Sequence, residues 1–391
     1  MRMKRKTGRI LAVLAALILA TVPAACAEEN GGAALTDMQL ELGNSSIVYP
    51  ALTGMADETL QQEINSRLLE DLDVNGYLDR MTMLLAEENL GIRVTWAGEI
   101  RGDVLSIVMS AEGALQNSRT THRWTWSNID LRDGHEITLA ELFTDEDSAR
   151  ATLEEYLDFD VAPELSAHLG NSEVTPLPDG FCLEQNGLRL LYPVTQLSTL
   201  TDRAGDICIG WNEIREELNL EKDSIPDRIG ANGMLALTGE SAEKIRAMTE
   251  SGRLPDIPAA IGDSVKTLTD RYRMLTDPDI YEGGRLFSLE PGCFRGIYLL
   301  TDYLSEAWDT SVVQGIRMDR GCAWGLCIGR TRQEEWRAVL GEPEYAVTLD
   351  EETAEAKRRE AGTCDYYRFG AYQLQLYADT DGTLTSITLT E

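Results

Sequence analysis

Seven cysteines, three histidines and 66 carboxylates are the residues of this 391-residue chain that could do chemistry. The cysteines are Cys26, Cys182, Cys208, Cys293, Cys322, Cys327 and Cys364. Setting Cys26 aside leaves an even number, which in an exported chain points to disulfides. Cys182 and Cys208 sit in apolar runs of the middle region, apart from the other four, and are expected to bridge neighbouring strands. Cys293, Cys322, Cys327 and Cys364 share the last third. Free buried thiols and a zinc site are the competing readings for these four. Zinc fits poorly, because Cys322 and Cys327 lack the tight C-x-x-C spacing and no histidine is near.

His122, His135 and His168 are scattered and read as surface residues. No G-x-S-x-G elbow, P-loop or H-E-x-x-H run occurs. Asp379-x-Asp381-Gly382 resembles a calcium loop without its chelating glutamate, so a hairpin turn is expected there. No catalytic residue, metal or cofactor is assigned, and the chain reads as a non-enzyme. The aromatics are the remaining lead. Trp124 and Trp126 lie two apart on one strand face, and Tyr298, Tyr303 and Trp308 crowd one meander. Buried core is the ordinary role of such residues; on an exposed sheet they would be binding anchors.

Export follows from the first 27 residues. Arg2, Lys4, Arg5, Lys6 and Arg9 precede the apolar run Ile10–Val22, which ends in small residues up to Ala27. That is the pattern of a signal peptide, and the run is too short to span a bilayer. Ala24-Ala25-Cys26 also resembles the end of a lipobox, so Cys26 is a lipidation candidate and the protein is expected to be secreted or lipid-anchored at the surface. The formal charge of −31 repels nucleic acid and anionic leaflets alike. No nucleic-acid partner is expected, and membrane contact only through a lipid anchor.

The elements read as α+β in two lobes. Residues 28–36 read as a flexible leader, 37–118 as an N-terminal mixed α/β-sheet domain and 119–222 as a second α+β domain. The spacing of Leu60, Ile64, Leu68 and Leu72 predicts a helix that Asp57 caps. Ile47–Pro50, Ile92–Trp96, Val104–Met109, Arg123–Trp126 and Ile207–Ile209 read as strands, with a turn at Gly102-Asp103. Thr138 is expected to cap a short helix reaching Phe143, Ser148–Leu157 and Trp211–Leu218 to be helical, and Asn186-Gly187 to turn a hairpin through positive φ. This order, from Tyr49-Pro50 and its helix to the closing Trp211–Leu218 segment, resembles the paired extracellular domains of unknown function in lysozyme-sensing anti-sigma factors and peptidoglycan deacetylases. The likeness spans about 36–222. The Gly-Gly-x-His element common in that family is here Thr120-Thr121-His122.

Residues 223–259 read as a connector holding one helix, Ser241–Ser251, and ending in a stiff Leu254–Pro258 linker. Residues 260–391 carry a repeat. Ile261-Gly262 and Ile328-Gly329 each open a helix, and 23 residues separate Cys293 from Ile316 and Cys364 from Ile387. A tandem unit of helix, long loop and antiparallel meander is expected. It resembles the helix-plus-sheet modules of small bacterial lipoproteins and of the β-lactamase inhibitor protein, which implies a protein-binding sheet. The whole reads as an exported cell-envelope module that binds or senses a protein, steered by its negative charge to a basic partner such as lysozyme. An envelope hydrolase with a carboxylate pair and a structural wall-associated module are the alternatives.

Overall fold

The computed structural model describes residues 32–87, 89–116, 119–158, 177–192, 205–269, 274–276, 284–289, 294–302 and 311–391. The signal segment with Cys26, together with His168, Cys293, Tyr303 and Trp308, lies outside them. No described helix is long and apolar enough to cross a membrane. Cα packing divides the chain after Glu136.

In the first unit a five-stranded sheet runs β1 (Ala34–Leu42), β2 (Ser45–Thr53), β3 (Ile92–Arg101), β4 (Val104–Gln116) and β5 (Arg119–Asp130) in spatial as in chain order. The β2–β3 pair is parallel, so the chain must cross over between them. Helices α1 (Glu58–Asp71) and α2 (Val74–Leu84) make that crossover. Asp57 caps α1 as its sequence predicts, its Oδ1 accepting from the N–H groups of Thr59 (2.9 Å) and Leu60 (3.0 Å). Ile64 and Leu68 pack on Ile107 and Met109, which alternate inward along β4.

Two expectations change here. Strand β1 begins at Ala34, within the segment read as a leader. A boundary at 118/119 would cut the β4–β5 hairpin, whose ladder runs from Val104↔Asp130 to Gln116↔Arg119. Those backbone hydrogen bonds make β5 part of the first sheet.

The second unit opens with the short helix expected after Thr138, a 3-10 turn at Leu139–Leu142 whose entry is held by the Thr138 N–H donating to the Glu141 carboxylate (2.6 Å). Helix α3 (Glu146–Tyr156) follows, then the antiparallel meander β6 (Gly180–Leu183), β7 (Gly187–Tyr192) and β8 (Gly205–Gly210). The hairpin forms at Asn186-Gly187, but neither residue has positive φ. Glycine is needed there for closeness instead, since a Cβ on Gly187 would stand 2.2 Å from the Ile209 carbonyl oxygen. Trp211–Leu218 forms turns, not the expected helix. Its backbone is drawn elsewhere: the Trp211 N–H donates to the Asn186 carbonyl (3.0 Å) and its indole to that of Gln185 (3.2 Å).

Single-turn helices α4 (Ile225–Arg228) and α5 (Ala231–Leu235) lead to α6 (Ser241–Glu250), the connector helix. The segment read as a stiff linker is core. Leu254 and Ile257 are buried in one cluster with Ile245, Leu299, Trp336 and Leu389. Burial of that apolar surface overrides the proline signal, and no boundary falls near 259.

The repeat takes the form of an eight-stranded antiparallel sheet. The first half is α7 (Val265–Thr269), β9 (Met274–Thr276), β10 (Gly284–Leu289), β11 (Ile297–Asp302) and β12 (Val313–Met318). After the ribbon of β13 (Cys322–Ala323) and β14 (Leu326–Cys327) comes the second half. It comprises α8 (Gln333–Leu340), β15 (Tyr345–Leu349), α9 (Glu351–Ala356), β16 (Gly362–Phe369), β17 (Tyr372–Asp379) and β18 (Leu384–Thr390). The spatial order is β15-β16-β17-β18-β12-β11-β10-β9. The closing strands of the two halves therefore pair with each other, Ile316 opposite Leu389 and Met318 opposite Ile387. The two glycines that open the units match as well. Gly262 (φ 92°) donates to the Val313 carbonyl and Gly329 (φ 78°) to that of Leu384, each at 2.7 Å. Asp379 Oδ1 accepts from the N–H groups of Asp381 (2.9 Å) and Thr383 (2.8 Å), making the expected hairpin turn.

Candidate binding face on the eight-stranded sheet

Period-two alternation sorts the sheet into two faces. Leu374, Leu376, Ile387, Leu389, Ile316 and Leu299 point into the core with Trp336 of α8. Asp365 on that side is fully buried and holds the helix: it accepts from the Trp336 indole (2.9 Å) and from Nε and Nη2 of Arg337 (2.7 and 2.6 Å).

The opposite face is polar and aromatic. Strand register puts Tyr345, Tyr366, Gln375, Thr388, Arg317 and Tyr298 in one row across six strands. At its outer end the rings of Tyr345 and Tyr366 stack, 4.3 Å between centroids. Tyr345 is 46% exposed and its strand neighbour Val347 38%. At the inner end Arg317 lies over the Tyr298 ring at 5.4 Å. Helix α9 and residues 357–361 cap part of this face. Ala354 of α9 packs with Leu349, Cys364, Tyr366 and Tyr377. Burial pushes the Cys364 thiol up to about 11 and the Tyr377 phenol up to about 12.

Two arginines meet over the row. Arg317 grips Asp319 through Nε (2.8 Å) and Nη2 (2.7 Å), and its Nη2 also donates to the Arg358 carbonyl (2.8 Å). Arg359 reaches down from the cap. Its Nη2 donates to Thr388 Oγ1 (2.6 Å) and its guanidinium carbon sits 3.6 Å from the Tyr377 ring centroid. Burial, and then the charge of Arg317, lower the Arg359 pKa. A cavity of about 310 Å³ lies on this face and a second of about 730 Å³ on the far side of the arginines, toward α9.

The other sequence-derived candidates disperse. Trp124 and Trp126 share the face of β5 turned away from α1 and α2; Trp124 meets His122 edge to face at 4.4 Å, and His122 Nε2 is 2.7 Å from Ser110 Oγ. Tyr298 belongs to the row, while Tyr303 and Trp308 lie outside the described residues. His135 Nδ1 is 2.7 Å from Asp133 Oδ1, beside a buried Asp130 that accepts from Arg132 Nη2 (2.8 Å). Those bonds brace the turn from Asp130 to His135.

The cysteines need two corrections. Cys182 does not bridge to Cys208: it is buried and forms no disulfide, whereas Cys208 is disulfide-bonded to another partner. Both stand opposite Arg189 of the intervening β7. That puts them two ladder spacings apart, roughly 10 Å, beyond the ~7 Å that a disulfide spans. Arg189 is half-buried between Glu184 (2.5 Å) and Asp206 (3.6 Å). Cys364 is also free, not bridged, because it faces the polar row. Cys322 and Cys327 are joined across the β13–β14 ribbon, Cα atoms 4.1 Å apart, which also removes the zinc reading of that pair.

No family model and no curated protein matches the chain. Among solved structures it is similar to a DUF3298-family member from Bacteroides fragilis, at 14% identity and TM-score 0.41, over 52% of this chain and 100% of that one. A DUF3298-family protein from Pseudomonas aeruginosa matches at 11% identity and TM-score 0.33, over 48% of this chain and 94% of its own. A DUF4309-family protein from Bacillus subtilis matches at 15% and 0.26, over 39% and 97%.

Proposed function

We propose that this protein is an extracytoplasmic binding module that holds a basic partner protein against the outer end of the polar sheet face. The observation that carries the reading is the exposed pair Tyr345 and Val347 on edge strand β15, backed by the ring of Tyr366. Tyrosine on a rigid strand gives a large contact area with few rotamers to freeze. The outer edge of β15 pairs with no other described strand, and its backbone groups are ones that a partner strand could take up.

Charge supports a basic partner. Glu344 precedes the strand, and α9, packed beside it, exposes Glu351, Glu352 and Glu355. At a net charge of −31, long-range attraction raises the encounter rate with cations and falls with salt. The signal-like pattern of the first 27 residues supports an envelope location for such a module.

The test immobilises the protein and passes lysozyme over it as a cationic probe at 20 mM and 300 mM salt, with Tyr345→Ala/Val347→Ala beside wild type. Retention at low salt that high salt releases, and that the double variant weakens at least tenfold, is the expected result. Absent retention at low salt, or retention indifferent to the double variant, overturns the reading.

A further inference from the structure

The walls of the 310 Å³ cavity on the sheet face run against the character of the chain. Arg317, Lys357 and Arg359 line it with Tyr366, Thr388 and Thr390, and no carboxylate is among its described lining residues. Three cations on the wall of one cavity are conspicuous in a sequence with 66 acidic residues against 35 basic ones.

The nearest counter-charge is already committed. Asp319 is held by Arg317 at 2.7–2.8 Å through both carboxylate oxygens, whereas Arg359 Nη1 comes only to 3.9 Å from it. The Arg359 side chain is just 7% exposed, and its Nη1 has no hydrogen-bond partner among the described residues. A buried guanidinium is always charged, and leaving one of its donors unbonded in a desolvated site is unfavourable unless something completes it. Thr388 fixes the other side of the fork, and the Tyr377 ring sets its plane.

We infer that this cavity is an oxyanion site, taking a small carboxylate- or phosphate-bearing molecule between Arg359, Lys357 and the threonine hydroxyls. Planar forked donors suit both oxyanions. The cavity volume lies at the lower end of small-ligand pockets, about 300–1,000 Å³. Because Lys357 and Arg359, from the segment that follows α9, form the wall facing the sheet, an occupant would also tie that segment down.

Thermal unfolding and titration calorimetry on the whole protein decide the matter, with inorganic phosphate and succinate as probes and sodium chloride at matched ionic strength as control. The expected result is a rise in unfolding midpoint of several degrees with one or both anions and measurable heat of binding. Phosphate alone would mark a phosphate site, succinate alone a carboxylate site. Lys357→Ala should weaken binding about tenfold without harming the fold, and Arg359→Lys should weaken it while keeping the charge. No shift beyond the chloride control overturns the proposal, as does binding that both variants leave unchanged. No protein partner is used, so failure here leaves the lysozyme experiment to be judged separately.

Discussion

Tyr377 stands directly across from Cys364 in the β16–β17 ladder, and the guanidinium of Arg359 covers its ring. Neutral thiol and phenol thus share a desolvated place beneath a cation. Both pKa values are raised, Cys364 from 9.0 to about 11 and Tyr377 from 10.0 to about 12. Groups raised in the folded state give their full stability below the unfolded pKa and lose it as pH rises through the folded one. Urea midpoints should hold steady from pH 7 to 8.5 and fall between about 9 and 12, with Cys364 contributing about 3 kcal/mol. A midpoint flat to pH 11 would contradict this.

Asp365 anchors α8 to the sheet through Trp336 and Arg337. Asp365→Ala leaves a buried indole N–H unbonded and a guanidinium without its carboxylate, a loss of about 2–4 kcal/mol. Arg337→Ala should lose less, because that side chain is one-third exposed. Denaturant titration of the two variants checks the order; equal losses would place the stabilisation elsewhere.

Gly187 and Gly329 offer a contrast in why glycine is used. A Cβ at Gly329 meets nothing within 4 Å, and only its φ of 78° resists substitution. Gly329→Ala should therefore lose about 1–2 kcal/mol. At Gly187 the same methyl would collide with the carbonyl of Ile209, so Gly187→Ala should separate β7 from β8 and lose on the order of 3 kcal/mol. Melting temperatures that rank the two the other way would refute the distinction.

Thiol accounting gives a fourth expectation. Cys322 and Cys327 close a loop with a sequence separation of 5, for which chain entropy gives about 2 kcal/mol. Cys322→Ser/Cys327→Ser should lower stability by roughly that amount. In the native wild type, Cys182 and Cys364 should resist maleimide labelling, being buried, and react only on unfolding. Rapid native labelling of either would show that the surrounding strands open readily.

Much of the architecture was legible because it is local. The Asp57 cap, the short helix that starts after Thr138 and the Asp379 turn each depend on residues within four positions. The repeat was legible from spacing, and the isoleucines singled out at 316 and 387 do lie in the closing strands. Their pairing was not, since nothing in either segment says which edge the other meets. The polar row was hidden for the same reason: Arg317, Tyr345, Tyr366, Gln375 and Thr388 come from separate strands, and only the ladder register aligns them. Lys357-Arg358-Arg359-Glu360 is charged throughout, and nothing in that run says that Arg359 is folded inward by Thr388 and Tyr377. The 118/119 boundary failed because two strands with polar residues between them look alike whether they share a hairpin or belong to different domains.

The junction of β12 with β18 has a practical outcome for anyone dividing this chain. Each meander shields the other's last strand, so cutting between Cys327 and Gln333 would strip both of their cover and bare a long hydrogen-bonding border on each fragment. Such borders recruit further copies. The two halves look duplicated, but neither should be soluble by itself, and co-expressed fragments should find each other again through that seam.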